Sequence, residues 1–133
     1  MRFAIVLLAL FVITFNPTTF AKDIFGNTKW AMKVDPDEDS RKLGARPYDD
    51  TFHFKGSEFE SEVMKKKGFK QTEYEENQRI GSIATFKAVA ESKTEGKAEW
   101  SGQVAATEMT GELTVTKKDG TVLKYTFKGS KKD

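Results

Sequence analysis

From Lys29 to Val34 the order Lys-Trp-Ala-Met-Lys-Val puts Trp30, Met32 and Val34 on one face and Lys29, Ala31 and Lys33 on the other. This is the period of a half-buried strand. The run Asp35-Pro36-Asp37-Glu38-Asp39 should break it, because proline donates no ladder hydrogen bond and the acidic cluster suits a turn or a short helix start. Residues 35–49 read as a polar excursion ended by Pro47. Thr51 to Phe54 and Glu58 to Val63 flank Lys55-Gly56-Ser57 as a hairpin, with Phe52, Phe54, Phe59, Ser61 and Val63 on its mainly apolar face. Met64 to Phe69 has too few apolar residues to decide between a helical turn stopped by Gly68 and a loop. A short strand is expected around Thr72 to Glu76.

The second half alternates more cleanly. Ser82 to Glu91 aligns Ala84, Phe86, Ala88 and Ala90, and Lys97 to Val104 aligns Ala98, Trp100, Gly102 and Val104. Thr107 to Thr116 turns Met109, Gly111, Leu113 and Val115 inward, and Val122 to Lys128 does the same with Leu123, Tyr125 and Phe127. Between these last two, Lys118-Asp119-Gly120-Thr121 carries the Asp-Gly signal of a tight hairpin. The fold class is therefore all-β, a meander of about eight strands with short connections. Such a meander hides its edges best by closing into a small up-and-down antiparallel barrel, with an open or flattened sandwich as the alternative.

The beginning of the chain has a different pattern. Met1-Arg2, an apolar run from Phe3 to Phe15 and a polar stretch ending Thr19-Phe20-Ala21 have the three-part order of a signal peptide cleaved after Ala21. The apolar run is shorter than the ~20 residues that span a bilayer, and no basic stop-transfer cluster follows it. The expected organisation is thus a leader over 1–21 and one barrel domain over 22–133, with the mature protein periplasmic or extracellular and without a membrane span. No cysteine follows for a lipid anchor, a disulfide or a thiolate site, so a packed core must stabilise the fold.

Charge narrows the choice of partners. Lys and Arg number 22 against 20 Asp and Glu, and loss of Arg2 with the leader narrows that margin by one. The lysines are interleaved with acids, apart from the tail Lys128-Gly129-Ser130-Lys131-Lys132, so no nucleic-acid footprint is expected. His53, the one histidine, falls between Phe52 and Phe54 on the outward face, a solvated position with no identifiable catalytic partners. Asp35 to Asp39 has oxygen ligands for a hard cation, but Pro36 and the missing Gly and Glu positions defeat an EF-hand reading. Asp49-Asp50 and Glu73-Tyr74-Glu75-Glu76 read as surface charges rather than a facing carboxylate pair. No phosphate loop, nucleophile elbow or zinc-protease helix is present. We therefore expect no enzyme, no catalytic residues, no metal and no cofactor.

The inward aromatic residues carry the remaining signal. Trp30, Phe52, Phe54, Phe86, Trp100, Tyr125 and Phe127 could line a pocket for a small apolar or amphipathic ligand, or could fill an interior that eight strands leave just wide enough for side chains. The small inward residues Ala84, Ala88, Ala90, Ala98, Gly102 and Gly111 either leave room or let the opposite aromatics fit.

An early-strand tryptophan, in Phe25-Gly26-Asn27-Thr28-Lys29-Trp30, resembles that of the calycin-like barrels: lipocalins, fatty-acid-binding proteins and avidins. Its glycine-to-tryptophan spacing is two residues longer than the lipocalin Gly-x-Trp. Trp30 to Asp37, Phe54-Lys55-Gly56, Lys67-Gly68-Phe69, Trp100-Ser101-Gly102, Lys117 to Thr121 and Tyr125 to Gly129 resemble a family of small, uncharacterised secreted bacterial proteins with a lipocalin-like barrel. The likeness covers nearly all of the mature chain. It implies a fold, and implies no particular substrate and no catalytic residues. The function expected is non-enzymatic binding of a small hydrophobic or amphipathic ligand; the alternative is a protein-interaction module, such as an inhibitor of a secreted enzyme, acting through loops 35–49 or 64–79.

Overall fold

The computed structural model describes residues 25–80 and 83–133, with no side-chain detail for 77–80. The expected leader, 1–21, and the expected strand start at Ser82 lie outside the described residues.

The period-two runs become eight strands: β1 (Thr28–Pro36), β2 (Tyr48–Lys55), β3 (Glu58–Ser61), β4 (Thr72–Ile80), β5 (Ile83–Ser92), β6 (Gly96–Ala105), β7 (Glu108–Thr116) and β8 (Val122–Lys131). Each pairs antiparallel with the next, and β8 returns to β1, so the sheet is a closed up-and-down barrel. Closure removes both edges that an eight-strand meander would otherwise expose. The sandwich alternative is not realised.

Two five-residue helices lie in the longer connections. α1 (Glu38–Lys42) starts at Asp37, whose carboxylate accepts from the Ser40 amide at 2.8 Å. The acidic run thus starts a helix, as its composition suggests. The strand before it nevertheless continues through Pro36, which sits at the last ladder position, where a missing donor costs least. α2 (Glu62–Lys66) corrects the expectation for Val63. Strand β3 stops at Ser61, whose hydroxyl accepts from the Met64 amide at 3.1 Å and caps the helix, so Val63 leaves the inward face. Gly68, at φ +95°, follows the C-terminus and supplies the left-handed residue that ends it.

The connections divide the barrel into two unlike ends. At one end lie the β2–β3 and β6–β7 turns and the start of β1; at the other lie α1, α2 and the β5–β6 and β7–β8 turns. The first end is sealed. Phe25, fully buried, packs its ring on Phe54 at 5.1 Å, Phe86 at 5.4 Å and Tyr74 at 5.9 Å. Its carbonyl accepts from the Thr28 hydroxyl at 2.5 Å, which in turn accepts from the Trp30 indole N–H at 2.9 Å. The Tyr74 hydroxyl donates to the Gly56 carbonyl at 3.2 Å.

The middle of the barrel is packed ring on ring. Phe52 meets Phe59 and Phe127 edge-on, each at 5.1 Å; Phe54 meets Phe86 at 5.1 Å; Phe59 meets Trp100 at 4.9 Å. These separations lie in the contact range of aromatic pairs. The glycines make this packing possible. Gly102 and Gly111 face each other across β6 and β7, and a Cβ on Gly111 would lie 2.4 Å from Cζ of Phe127 and 2.3 Å from the Ser101 carbonyl oxygen. One on Gly102 would lie 2.7 Å from Cε1 of Phe86. The small inward residues therefore admit the opposite rings, which settles the choice the sequence left open at these two positions.

Candidate functional site

The second end of the barrel is built differently. Tyr48 opens β2 and Tyr125 comes early in β8, and their rings meet edge-on at 5.9 Å across the barrel mouth. Around them lies a hollow of about 400 Å³, bordered by Leu43 to Pro47, Val63, Lys67, Lys117 and Leu123. It shares Tyr48, Lys67, Lys117, Leu123 and Tyr125 with a narrower recess of about 110 Å³, whose walls add Met64, Phe69, Glu95 and Val115. Met64, Phe69 and Val115 are buried and form an apolar floor. The lining thus converges from all four connections at this end.

The polar side chains of the lining are mostly donors. Burial holds the Tyr48 phenol well above its ordinary pKa, reinforced by the nearby Asp50 carboxylate and by Tyr125; burial also raises that of Tyr125. Both hydroxyls therefore keep their protons at neutral pH, and neither has a hydrogen-bond partner among the described residues. Arg46, Lys67 and Lys117 line the rim. Among the described residues none of the three is in an ion pair, although Arg46 donates to the carbonyl of its neighbour Ala45 at 3.1 Å.

Beneath Tyr48 sits Asp50, which the sequence reading placed on the surface. Asp49 is exposed, but Asp50 is buried, because extending the Phe52–Phe54 alternation backwards turns Asp50 and Tyr48 inward. Its carboxylate accepts from the amides of Thr51 at 2.7 Å and Val63 at 3.1 Å, and from the Ser61 hydroxyl. Burial raises its pKa, against the opposing pull of these three donors. Asp50 therefore ties the start of α2, and with it Met64 and Lys67, to the barrel wall.

The residues proposed from sequence separate into two places. Trp30, Phe52, Phe54, Phe86, Trp100 and Phe127 are buried in the core, and Tyr125 alone of that set lines the mouth. Trp100 differs from Trp30 in one respect: its indole N–H is buried and meets no acceptor among the described residues. Trp100 and Tyr125 both pair with Leu113, so they share a register level two strands apart. Tyr48, Leu123, Lys67, Lys117 and Arg46 were missed; the inward alternation was the available signal for Tyr48, whereas the three cations come from separate connections and carry no local signal.

Other candidate groups are structural. His53 lies on the outer wall with its Nε2 2.6 Å from Oε2 of Glu62, and that hydrogen bond is the main cause holding the Glu62 carboxyl below its usual range. In the acidic run, Asp35 pairs with Arg41 at 2.7 Å, Asp37 caps α1 and Glu38 faces Lys42 at 4.0 Å. Two further hollows, about 510 Å³ and about 580 Å³, lie on the outside of the sheet, over Gly102 and Gly111 and over Gly129 respectively. They are larger than the mouth, but each is a dent in one wall, lined by neighbouring strands. Among the described residues no helix is long and apolar enough to cross a membrane. Compared with protein-family models, with curated proteins and with solved structures, the chain has no significant match.

Proposed function

We propose that this chain is a non-enzymatic exported protein that binds a small amphipathic molecule at the mouth of its barrel. One observation carries the reading: at the end opposite the Phe25 seal, apolar side chains and unpartnered phenol hydroxyls line two adjoining hollows that share Tyr48, Leu123 and Tyr125. Ligand sites generally combine a mostly apolar lining with a few convergent polar groups. Export is supported by the leader pattern of residues 1–21, and the resemblance to secreted lipocalin-like proteins agrees with it. Because the barrel centre is packed ring on ring, the ligand engages the mouth rather than the middle of the barrel.

Native mass spectrometry of the mature protein, purified from the compartment it is exported to, tests this directly. A small-molecule adduct lost on denaturation, and lost again in a Leu123→Arg variant that folds normally, is the expected result. A bare mass that stays bare with added alkyl probes overturns the proposal. A second reading, a protein-interaction rim, is favoured by Leu43, an apolar side chain that is 61 % exposed at the end of α1. Because Leu43 also borders the hollow, the bound mass separates the two readings: a small-molecule adduct lost in Leu123→Arg marks the mouth, and a protein complex lost in Leu43→Ser marks the rim.

A further inference from the structure

We infer that the mouth selects amphiphiles whose polar head is an oxyanion. The inference rests on the mouth-binding reading and adds to it the chemistry of the head group. Arg46 precedes β2, Lys67 follows α2 and Lys117 follows β7, so three connections far apart in sequence bring cations to one rim. Elsewhere a few cations are paired, among them Lys33 with Asp49 at 3.7 Å, Arg41 with Asp35 at 2.7 Å and Lys65 with Glu60 at 3.3 Å, while most other lysines among the described residues stand singly; the rim differs in gathering three cations around one concavity. At the rim none of the three is paired among the described residues.

The phenols point to the same chemistry. Tyr48 and Tyr125 remain protonated at neutral pH and can donate to an oxygen that settles between the cations and the apolar floor. The opposing charges are few. Glu95 borders the narrow recess only, and Asp50 beneath Tyr48 is already engaged by Thr51, Val63 and Ser61. Asp119, in the same turn as Lys117, is engaged by the Thr121 amide at 2.9 Å. Because the three cations are exposed, their attraction is screened by water and salt, and selectivity rather than great affinity is the expected result.

The test compares three probes of equal chain length, octanoate, 1-octanol and octyltrimethylammonium, by amide chemical-shift titration of the mature protein at low salt. Octanoate should bind at least about fivefold more tightly than octanol, and the cationic probe more weakly than either, with shifts centred on Tyr48, Leu123 and Tyr125. The triple variant Arg46→Gln, Lys67→Gln, Lys117→Gln should bring octanoate to the affinity of octanol and leave octanol unchanged. A control triple of equal charge change away from the mouth, Lys29→Gln, Lys55→Gln, Lys128→Gln, should keep the preference. Equal affinities in the unmodified protein, or equal loss in both triples, would overturn oxyanion selection while mouth binding stands. Shifts at the mouth with none of the probes would sink the binding reading and this inference together.

Discussion

The two ends of this barrel solve the burial of polar groups in opposite ways. At the sealed end the buried donors have acceptors: the Trp30 indole reaches Thr28, Thr28 reaches the Phe25 carbonyl, and the Tyr74 hydroxyl reaches Gly56. At the mouth the Tyr48 and Tyr125 hydroxyls are unmatched among the described residues and three cations stand outside any ion pair there. A donor that meets no protein acceptor gains nothing from folding, so its presence is not explained by stability. The contrast separates the half that holds the molecule together from the half left free to meet something else.

The largest test of that division is to break the sealed end. Phe54 is fully buried and packs on Phe25, Phe59, Tyr74 and Phe86, so Phe54→Ala should cost about 3–5 kcal/mol in urea unfolding, through lost burial and a residual cavity. A cost under about 1 kcal/mol would show that the aromatic seal is not where stability resides.

A smaller effect is expected where the mouth is fastened to the wall. Asp50→Ala strands the Ser61 hydroxyl and the Thr51 and Val63 amides and should cost about 2–3 kcal/mol, with amide exchange rising first in α2. The pH dependence has a definite sign. The Asp50 pKa is raised in the folded state, so the folded protein holds that proton more tightly than the unfolded chain does. The associated stabilisation is present below the ordinary value of 3.8 and is lost as pH rises through the raised folded value. Stability of the unmodified protein relative to Asp50→Asn should therefore fall as pH climbs from 3.8, and a difference that rises instead would contradict burial as the dominant cause.

The smallest effect is expected at the mouth itself. Tyr125→Phe removes a hydroxyl that has no partner and should change stability by less than about 0.5 kcal/mol. The same change should weaken octanoate more than octanol. A large loss of stability would mean that the phenol already serves the fold.

The barrel itself was legible from sequence because each strand repeats its inward face with period two, as Ala84-Phe86-Ala88-Ala90 and Met109-Gly111-Leu113-Val115 show. Asp50 was misplaced because the polar residues after Pro36 delayed the expected start of β2 to Thr51, and the alternation was not carried back to Tyr48. Val63 was misread because Ser61 suits an inward strand position and a helix cap equally well, and in the fold its hydroxyl takes the cap, accepting from the Met64 amide. Ring packing at Gly102 and Gly111 was legible only as one of two alternatives, room for a ligand or a fit for the opposite rings. It depends on which residues face each other across β6, β7 and β8, a register that no single strand encodes. The mouth cations were hidden for the same reason.

Closure of the barrel also determines how the molecule can be held. β1 and β8 are neighbours, with Trp30 opposite Lys131 and the Lys132 amide bonded to the Lys29 carbonyl at 2.8 Å, so the chain enters and leaves the barrel side by side at the sealed end. A tether or fusion attached before Phe25 or after Lys131 therefore points the Tyr48–Tyr125 mouth outward, away from whatever carries it.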